Sequence, residues 1–212
     1  LIEIESLVSS ALYHTVSLIT IMNSVAAGAI MLGVVGDDAE RKAVRGIARR
    51  NSIATLVAML LTFLAGSYIF SILGISTHSL MVFGGVVLMM MGLHMVSGQT
   101  KRVNHSQDET AAAQEQDDIS VVPLSIPVIV GPGLATTLIT LSATSKNIEA
   151  YISVLVAIVI ACFINYLVLA NMTLVKRTIG IQGIKILTRV MGLVVGSIAA
   201  QMILEGAKAL FA

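Results

Sequence analysis

The chain has 212 residues, of which 56% are hydrophobic, 12% charged and 4% aromatic, with a formal net charge of +1 and a mean hydropathy of +0.93. Soluble domains carry about 25% charged residues, and the few charges here are clumped, so an ordinary soluble domain is excluded. A charge of +1 gives no ground for a nucleic-acid partner, and Cys162, alone inside an apolar run, excludes a disulfide framework, a thiolate zinc cluster and a CxxC redox motif.

Residues 6–36 and 51–100 contain no Asp, Glu, Lys or Arg, runs of 31 and 50 residues, whereas a helical span needs about 20 apolar residues. The pattern predicts six spans, at 7–35, 51–74, 79–97, 120–145, 150–173 and 184–204. The opening Leu1-Ile2-Glu3-Ile4-Glu5 is acidic rather than basic, so the first run reads as a retained span and not as a signal peptide. Span one carries His14, then Asn23-Ser24, then the small residues Ala26, Ala27, Gly28 and Ala29. The long second run is cut at Gly74-Ile75-Ser76-Thr77-His78, where a glycine and polar residues interrupt the helical pattern. Span three follows, with Phe83-Gly84-Gly85, Gly92 and His94. Residues 100–118 have the composition of a flexible cytoplasmic linker. They divide one integral membrane domain into three-span halves, 1–99 and 119–212. Span four holds all three prolines, Pro123, Pro127 and Pro132; span five holds Asn165, and span six Arg189.

Basic loops stay in the cytoplasm. With six spans, one side receives Arg41, Lys42, Arg45, Arg49, Arg50, Lys101, Arg102, Lys176, Arg177 and Lys185, and the other only Lys146 and Lys208. Ten against two supports a multi-pass protein of the cell's inner (plasma) membrane with both termini on the non-cytoplasmic side.

The halves correspond at an offset of 106–108. Gly74-Ile75 in span three matches Gly180-Ile181 at span six, and Asn23-Ser24 falls opposite Gly131-Pro132. Three spans per copy force the second copy to enter the membrane from the opposite side. The predicted fold is therefore an all-α membrane protein of six transmembrane helices, arranged as a 3+3 inverted-topology repeat. In secondary transporters of this kind substrate sits near midplane at interrupted helices. Helices one and four are the expected interruptions. Proline removes an amide donor and clashes with the preceding turn, so Pro127 and the run Gly131-Pro132-Gly133 should unwind span four. The following Leu134-Ala135-Thr136-Thr137 would begin a half-helix whose free amides suit a carboxylate. The competing reading is a packed proline kink, with Thr136 and Thr137 bonding to their own helix. For Asn23 and Ser24 it is a close-packing face of small residues.

Arg189 is the only formal charge well inside a span and a candidate partner for a substrate carboxylate. It lies five residues past Ile184, about 7–8 Å at the helical rise, and so can also snorkel or cap carbonyls. His14, His94 and Asn165 are weaker candidates for ion coupling, each with a hydrogen-bonded structural role as its alternative. Spans one to five contain no Asp or Glu, and the chain has no Walker, GxSxG or HExxH motif. An enzyme, a bound metal and an organic cofactor are therefore not expected; Na+ or H+ remains as coupling ion.

Val121-Val122-Pro123-Leu124-Ser125-Ile126-Pro127 and Gly131-Pro132-Gly133-Leu134-Ala135-Thr136-Thr137 resemble the MarC family, also called the neutral amino acid transporter family. Similarity extends to Gly74-Ile75-Ser76 with Phe83-Gly84-Gly85, and to Gly183-Ile184 with Thr188-Arg189-Val190-Met191-Gly192-Leu193, nearly the whole chain. It implies a six-span inner-membrane protein, in a superfamily with lysine-type exporters, some members of which are assigned transport of glycine, alanine and similar amino acids. One departure concerns helix one. The family motif reads Asn-Pro with a glycine two residues on, whereas here Ser24 and Ala26 follow Asn23. The expected function is a secondary transporter of small neutral amino acids. The zwitterion would lie between Asn23-Ser24 and Gly131-Pro132-Gly133, with Thr136, Thr137 and Arg189 as further contacts. The rivals are an exporter of amino acids or other small metabolites, and a non-transporting membrane scaffold.

Overall fold

Long apolar runs in a low-dielectric medium must satisfy every backbone amide internally, which leaves helices as the solution for this composition. The computed structural model describes residues 2–35, 40–98, 130–145 and 147–211, and those residues are helical without a strand among them. The helices are α1 (Ile2–Met22), α2 (Ser24–Val35), α3 (Arg41–Ile72), α4 (Thr77–Ser97), α5 (Pro132–Thr144), α6 (Ile148–Ala170) and α7 (Met172–Phe211). Five spans among the described residues are long and apolar enough to cross a bilayer, α1 and α2 counting as one over Leu7–Gly33. Span four is described only from Val130. The expected break at Pro127, together with Pro123 and the 100–118 linker, lies outside the described residues.

Local sequence sets the helix ends. The α3 terminus is closed by Gly74 at φ +69, with Gly74 N–H donating to Ser71 O and Ile75 N–H to Phe70 O. Ser76 then caps α4 by accepting from the Ser79 amide at 3.1 Å, and Gly98 at φ +67 ends it. These are the left-handed stop and hydroxyl start expected of helix termini. α3 begins ten residues before the predicted span. Its basic first three turns are good helix formers and bury Val44 and Ala48 on one side. At 32 residues α3 is about 48 Å long, so this basic end projects beyond a hydrocarbon layer of about 30 Å.

The span-six region differs from expectation in the same way. The basic stretch from Met172 is helical, and Gly180 (φ +67, ψ 174) separates it from the membrane-length remainder of α7. Gly74 and Gly180 thus share the left-handed φ and stand 106 residues apart. The Gly180 combination is open essentially to glycine alone, so Gly180→Ala is expected to cost about 1–3 kcal/mol, read as a lowered Tm in detergent.

α4 runs antiparallel along α7: Gly206 meets the His78 carbonyl at one end, Gly85 meets Ala199 and Ile203, and Gly92 meets Gly192 and Gly196. α1 packs along α6, α3 against α5 and α6, α4 against α5, and α2 against α6 and α7. Leu18, Ile21, Met22, Met31, Met59, Phe63, Leu88, Leu134 and Leu138 form the common core. Facing outward on α3 is a stripe of Ile53, Val57, Leu61, Leu64 and Tyr68, each at least half exposed. An uncovered apolar face of this length is the surface lipid covers.

Candidate functional site

Helix one is interrupted at Asn23. Its φ of +45 makes it the only described non-glycine residue with positive φ, a conformation that asparagine tolerates better than other side-chain-bearing residues. The ladder closes around it, with Asn23 N–H donating to Ile19 O and Ala27 N–H to Asn23 O, both at 3.1 Å. The chain therefore leaves right-handed helix here without the family proline, and Ser24 starts α2. Ser24 is 4% exposed and its Oγ has no hydrogen-bond partner. An orphaned buried hydroxyl is costly and stands out in a span. The small residues after it have a packing role: a methyl on Gly28 would lie 2.7 Å from Met172 Sδ.

In span four, Gly131 is extended (φ −72, ψ 174) and Pro132 occupies the first position of α5, where its missing amide is no loss. Ala135 N–H donates to Gly131 O at 3.0 Å. The amides of Gly133 and Leu134 have no backbone acceptor among the described residues, and α5 opens without a side-chain cap. Thr136 Oγ1 donates to Pro132 O (2.9 Å) and Gly133 O (3.1 Å), and Thr137 Oγ1 to Gly133 O (2.9 Å). This is the back-bonded arrangement weighed against a ligand role. It ties up both hydroxyl protons and leaves oxygen lone pairs as acceptors. Thr136 also fills the space over Gly84, and Leu88 the space over Gly133, where a methyl would meet Cδ2 at 2.6 Å. α1 and α5 touch each other, so the helix that ends at the Asn23 interruption and the helix that starts at Pro132 belong to one packing unit.

Arg189 lies elsewhere. It is exposed, with its guanidinium over Gly98 at the C-terminus of α4, where a cation suits the helix dipole. Gly133 approaches α4 at Leu88 and Met91, and seven residues from Met91 to Gly98 correspond to about 10 Å along the helix. His94 is exposed in the last turn of α4, and His14 is half-buried, edge-on to Tyr13 with ring centroids 5.6 Å apart. Asn165 is fully buried between α6 and α3, with Nδ2 donating to Ser52 Oγ at 3.2 Å and, more weakly, to Asn51 Oδ1 at 3.4 Å, while its Oδ1 has no partner. Asn165→Leu is expected to lower stability by about 1 kcal/mol, the usual size of an interhelical polar contact in a membrane, measured by thermal unfolding in detergent.

Sequence reasoning missed Thr55 and Thr140, both buried with unpartnered hydroxyls. Their signal was positional: Thr140 follows Thr136 by one turn, and Thr55 follows Asn51 likewise. It also missed a cleft of about 250 Å³ between the end of α3, the start of α4 and the end of α5. Among the described residues no group of three His, Cys, Asp or Glu could hold a metal ion.

The fold and the break at Asn23 define a polytopic α-helical membrane protein with at least one interrupted span. Residues 8–211 match the model of the MarC family of integral membrane proteins, and the chain belongs to that family. A UPF0056 membrane protein of Pyrococcus abyssi is 36% identical over 196 residues, 92% of this chain and 93% of the relative. Another, YvbG of Bacillus subtilis, is 32% identical over 174 residues, 82% and 81% of the two chains. No solved structure matches the chain.

Proposed function

We propose that the protein is a secondary transporter of small neutral amino acids of the glycine or alanine type, working by alternating access in the cell's inner membrane with both termini outside the cytoplasm. The observation that carries this reading is the contact between span one, interrupted at Asn23, and the helix that starts at Pro132. The first brings a buried, unpartnered Ser24 hydroxyl beside Asn23, and the second the Gly133 and Leu134 amides at a helix start, without a backbone acceptor among the described residues. The chemistry suits a zwitterion. Free amides at a helix start favour the carboxylate, while Thr136 and Thr137, their protons committed to the backbone, offer acceptors to an ammonium. Arg189, at the α4 terminus, is a secondary candidate that a conformational change would have to bring closer.

Packing supports the inverted repeat on which alternating access would rest. Exchanging spans one, two and three for four, five and six turns the α1–α6 contact into α5–α3 and the α2–α7 contact into α5–α4, while α3–α6 and α4–α7 map onto themselves. The shared left-handed φ of Gly74 and Gly180 obeys the same exchange. Sodium on exposed backbone oxygens is the simpler coupling ion, with protons through His14 or His94 as the alternative. Radiolabelled glycine and alanine flux in proteoliposomes tests the reading: uptake that depends on an imposed ion gradient is expected, and none with either amino acid and any gradient would leave a scaffold. Counterflow under opposed gradients separates uptake from export.

A further inference from the structure

Ser67, Ser71, Gly74, Ser76, Thr77 and Ile139 are among the residues around the cleft of about 250 Å³ where α3 ends, α4 begins and the far end of α5 passes. The cleft lies at the end of α3 opposite its basic stretch, since α3 runs from Arg41 to Ile72. Among the described residues four hydroxyls line it, and no Asp, Glu, Lys, Arg or His does. Ser67 Oγ is satisfied by Ser142 Oγ at 2.9 Å, and Ser76 Oγ by the Ser79 amide and hydroxyl. Ser71 and Thr77 make no hydrogen bond through their hydroxyls to a described residue. The inner wall is shut by Ile139, which is 7% exposed and occupies the space over Gly66, where a methyl would meet Cγ1 at 2.5 Å. The cleft is thus bounded on its buried side by Ile139, between α3 and α5, and by Leu80 of α4. Beyond Ile139, one turn back along α5, stand Thr136 and Thr137, in the first turns of that helix.

We propose that this cleft is an outer binding subsite for a small neutral amino acid, occupied before the solute reaches the interrupted helices. The inference rests on the transport reading above and adds a second, peripheral place of binding on the face opposite the basic end. Size and chemistry set the ligand class. The volume falls below the roughly 300–1,000 Å³ of drug-sized pockets, and hydroxyls both donate and accept, so they suit a solute with one donor and one acceptor group and no net charge. Charged solutes would find no counterion among the described lining residues, and a long apolar one would leave Ser71 and Thr77 unpaired.

The test is cysteine protection. The natural Cys162 is buried, so the wild-type protein serves as the labelling blank and Ser71→Cys supplies the thiol. The variant, in sealed vesicles of known orientation, receives a membrane-impermeant cationic methanethiosulfonate with or without alanine, glycine or serine. Labelling from the face opposite the basic end is expected, slowed about tenfold when the amino acid stands at about ten times its Kd. His78→Cys, exposed beside Thr77 but itself outside the lining, should label at an unchanged rate. Labelling of Ser71→Cys that none of the three amino acids slows, or labelling only from the basic face, overturns the subsite. Wild-type flux keeps the two claims apart. Protection without flux supports the subsite and removes the transport reading, whereas flux without protection removes the subsite alone.

Discussion

Gly92→Val is expected to lower the stability of the protein by about 3 kcal/mol, the upper end of what overpacking a well-filled contact costs, and Gly92→Ala by about 1–2 kcal/mol. The reason is that the atoms in the way are backbone. A methyl on Gly92 would stand 2.9 Å from Gly192 O and from Gly196 N, and 3.1 Å from Gly196 Cα. No rotamer change relieves such a contact, so α4 and α7 must separate along their length and give up the close packing that membrane helices rely on. The sign of the effect is diagnostic. In an open helix Gly→Ala stabilises by up to about 1 kcal/mol, and Gly46 of α3, with nothing within 4 Å of its missing methyl, is the matched control. Thermal unfolding in detergent should show Tm falling for Gly92→Ala and Gly92→Val and rising for Gly46→Ala. A rise for Gly92→Ala would contradict the α4–α7 contact.

The second large effect concerns transport. Ser24→Ala should reduce amino acid flux in proteoliposomes by about 10- to 100-fold, the loss expected when a hydrogen bond to a charged group of about 1.5–3 kcal/mol disappears. It should leave Tm unchanged or raised, because a buried hydroxyl without a partner contributes no bond to the fold and its removal relieves a desolvation cost. A hydroxyl with a purely structural role predicts the opposite pair of results, lowered Tm with flux retained. Asn23→Val combines both effects, since a β-branched side chain in the left-handed region costs about 1–2 kcal/mol in addition to removing the amide. Asn23→Gly keeps the backbone and removes only the side chain. Reduced flux in Asn23→Gly, at unchanged Tm, would place the amide itself in the site. Gly133→Val is a poorer probe, because Leu88 fills the space it would enter.

Residue order alone exposed much of this. Charge-free runs longer than a bilayer is thick can only be spans, and the common offset paired Gly74 with Gly180 at span starts, whose shared positive φ the structure then showed. Gly131-Pro132 carried the start of α5, since a proline fits the first position of a helix and not its interior. Asn23 was marked by its register with Gly131 even though the family proline is missing. These features arise within a few residues of chain, through backbone sterics and the solvation of charge.

Features that depend on which surfaces meet were not available from sequence. Gly84 serves Thr136 of α5, whereas Gly85 and Gly92 serve α7, and nothing in a row of glycines says which face of α4 meets which neighbour. The proton of Thr136 goes to Pro132 O because nearby carbonyls outcompete a distant partner, which changes the group from donor to acceptor. Arg189 looked like a buried charge because it lies in an apolar stretch, yet it faces outward over Gly98, since the end of α4 offers the guanidinium a negative pole without desolvation. The outer cleft joins Ser71, Thr77 and Ile139, residues as many as 68 positions apart, through the crossing of α3, α4 and α5. The amino-acid order settled where the backbone must bend and where charge must stay in water, because both are local free energies. Which hydroxyls are orphaned, which glycines are filled and where a cleft opens were settled by helix packing, which pairs surfaces remote in sequence.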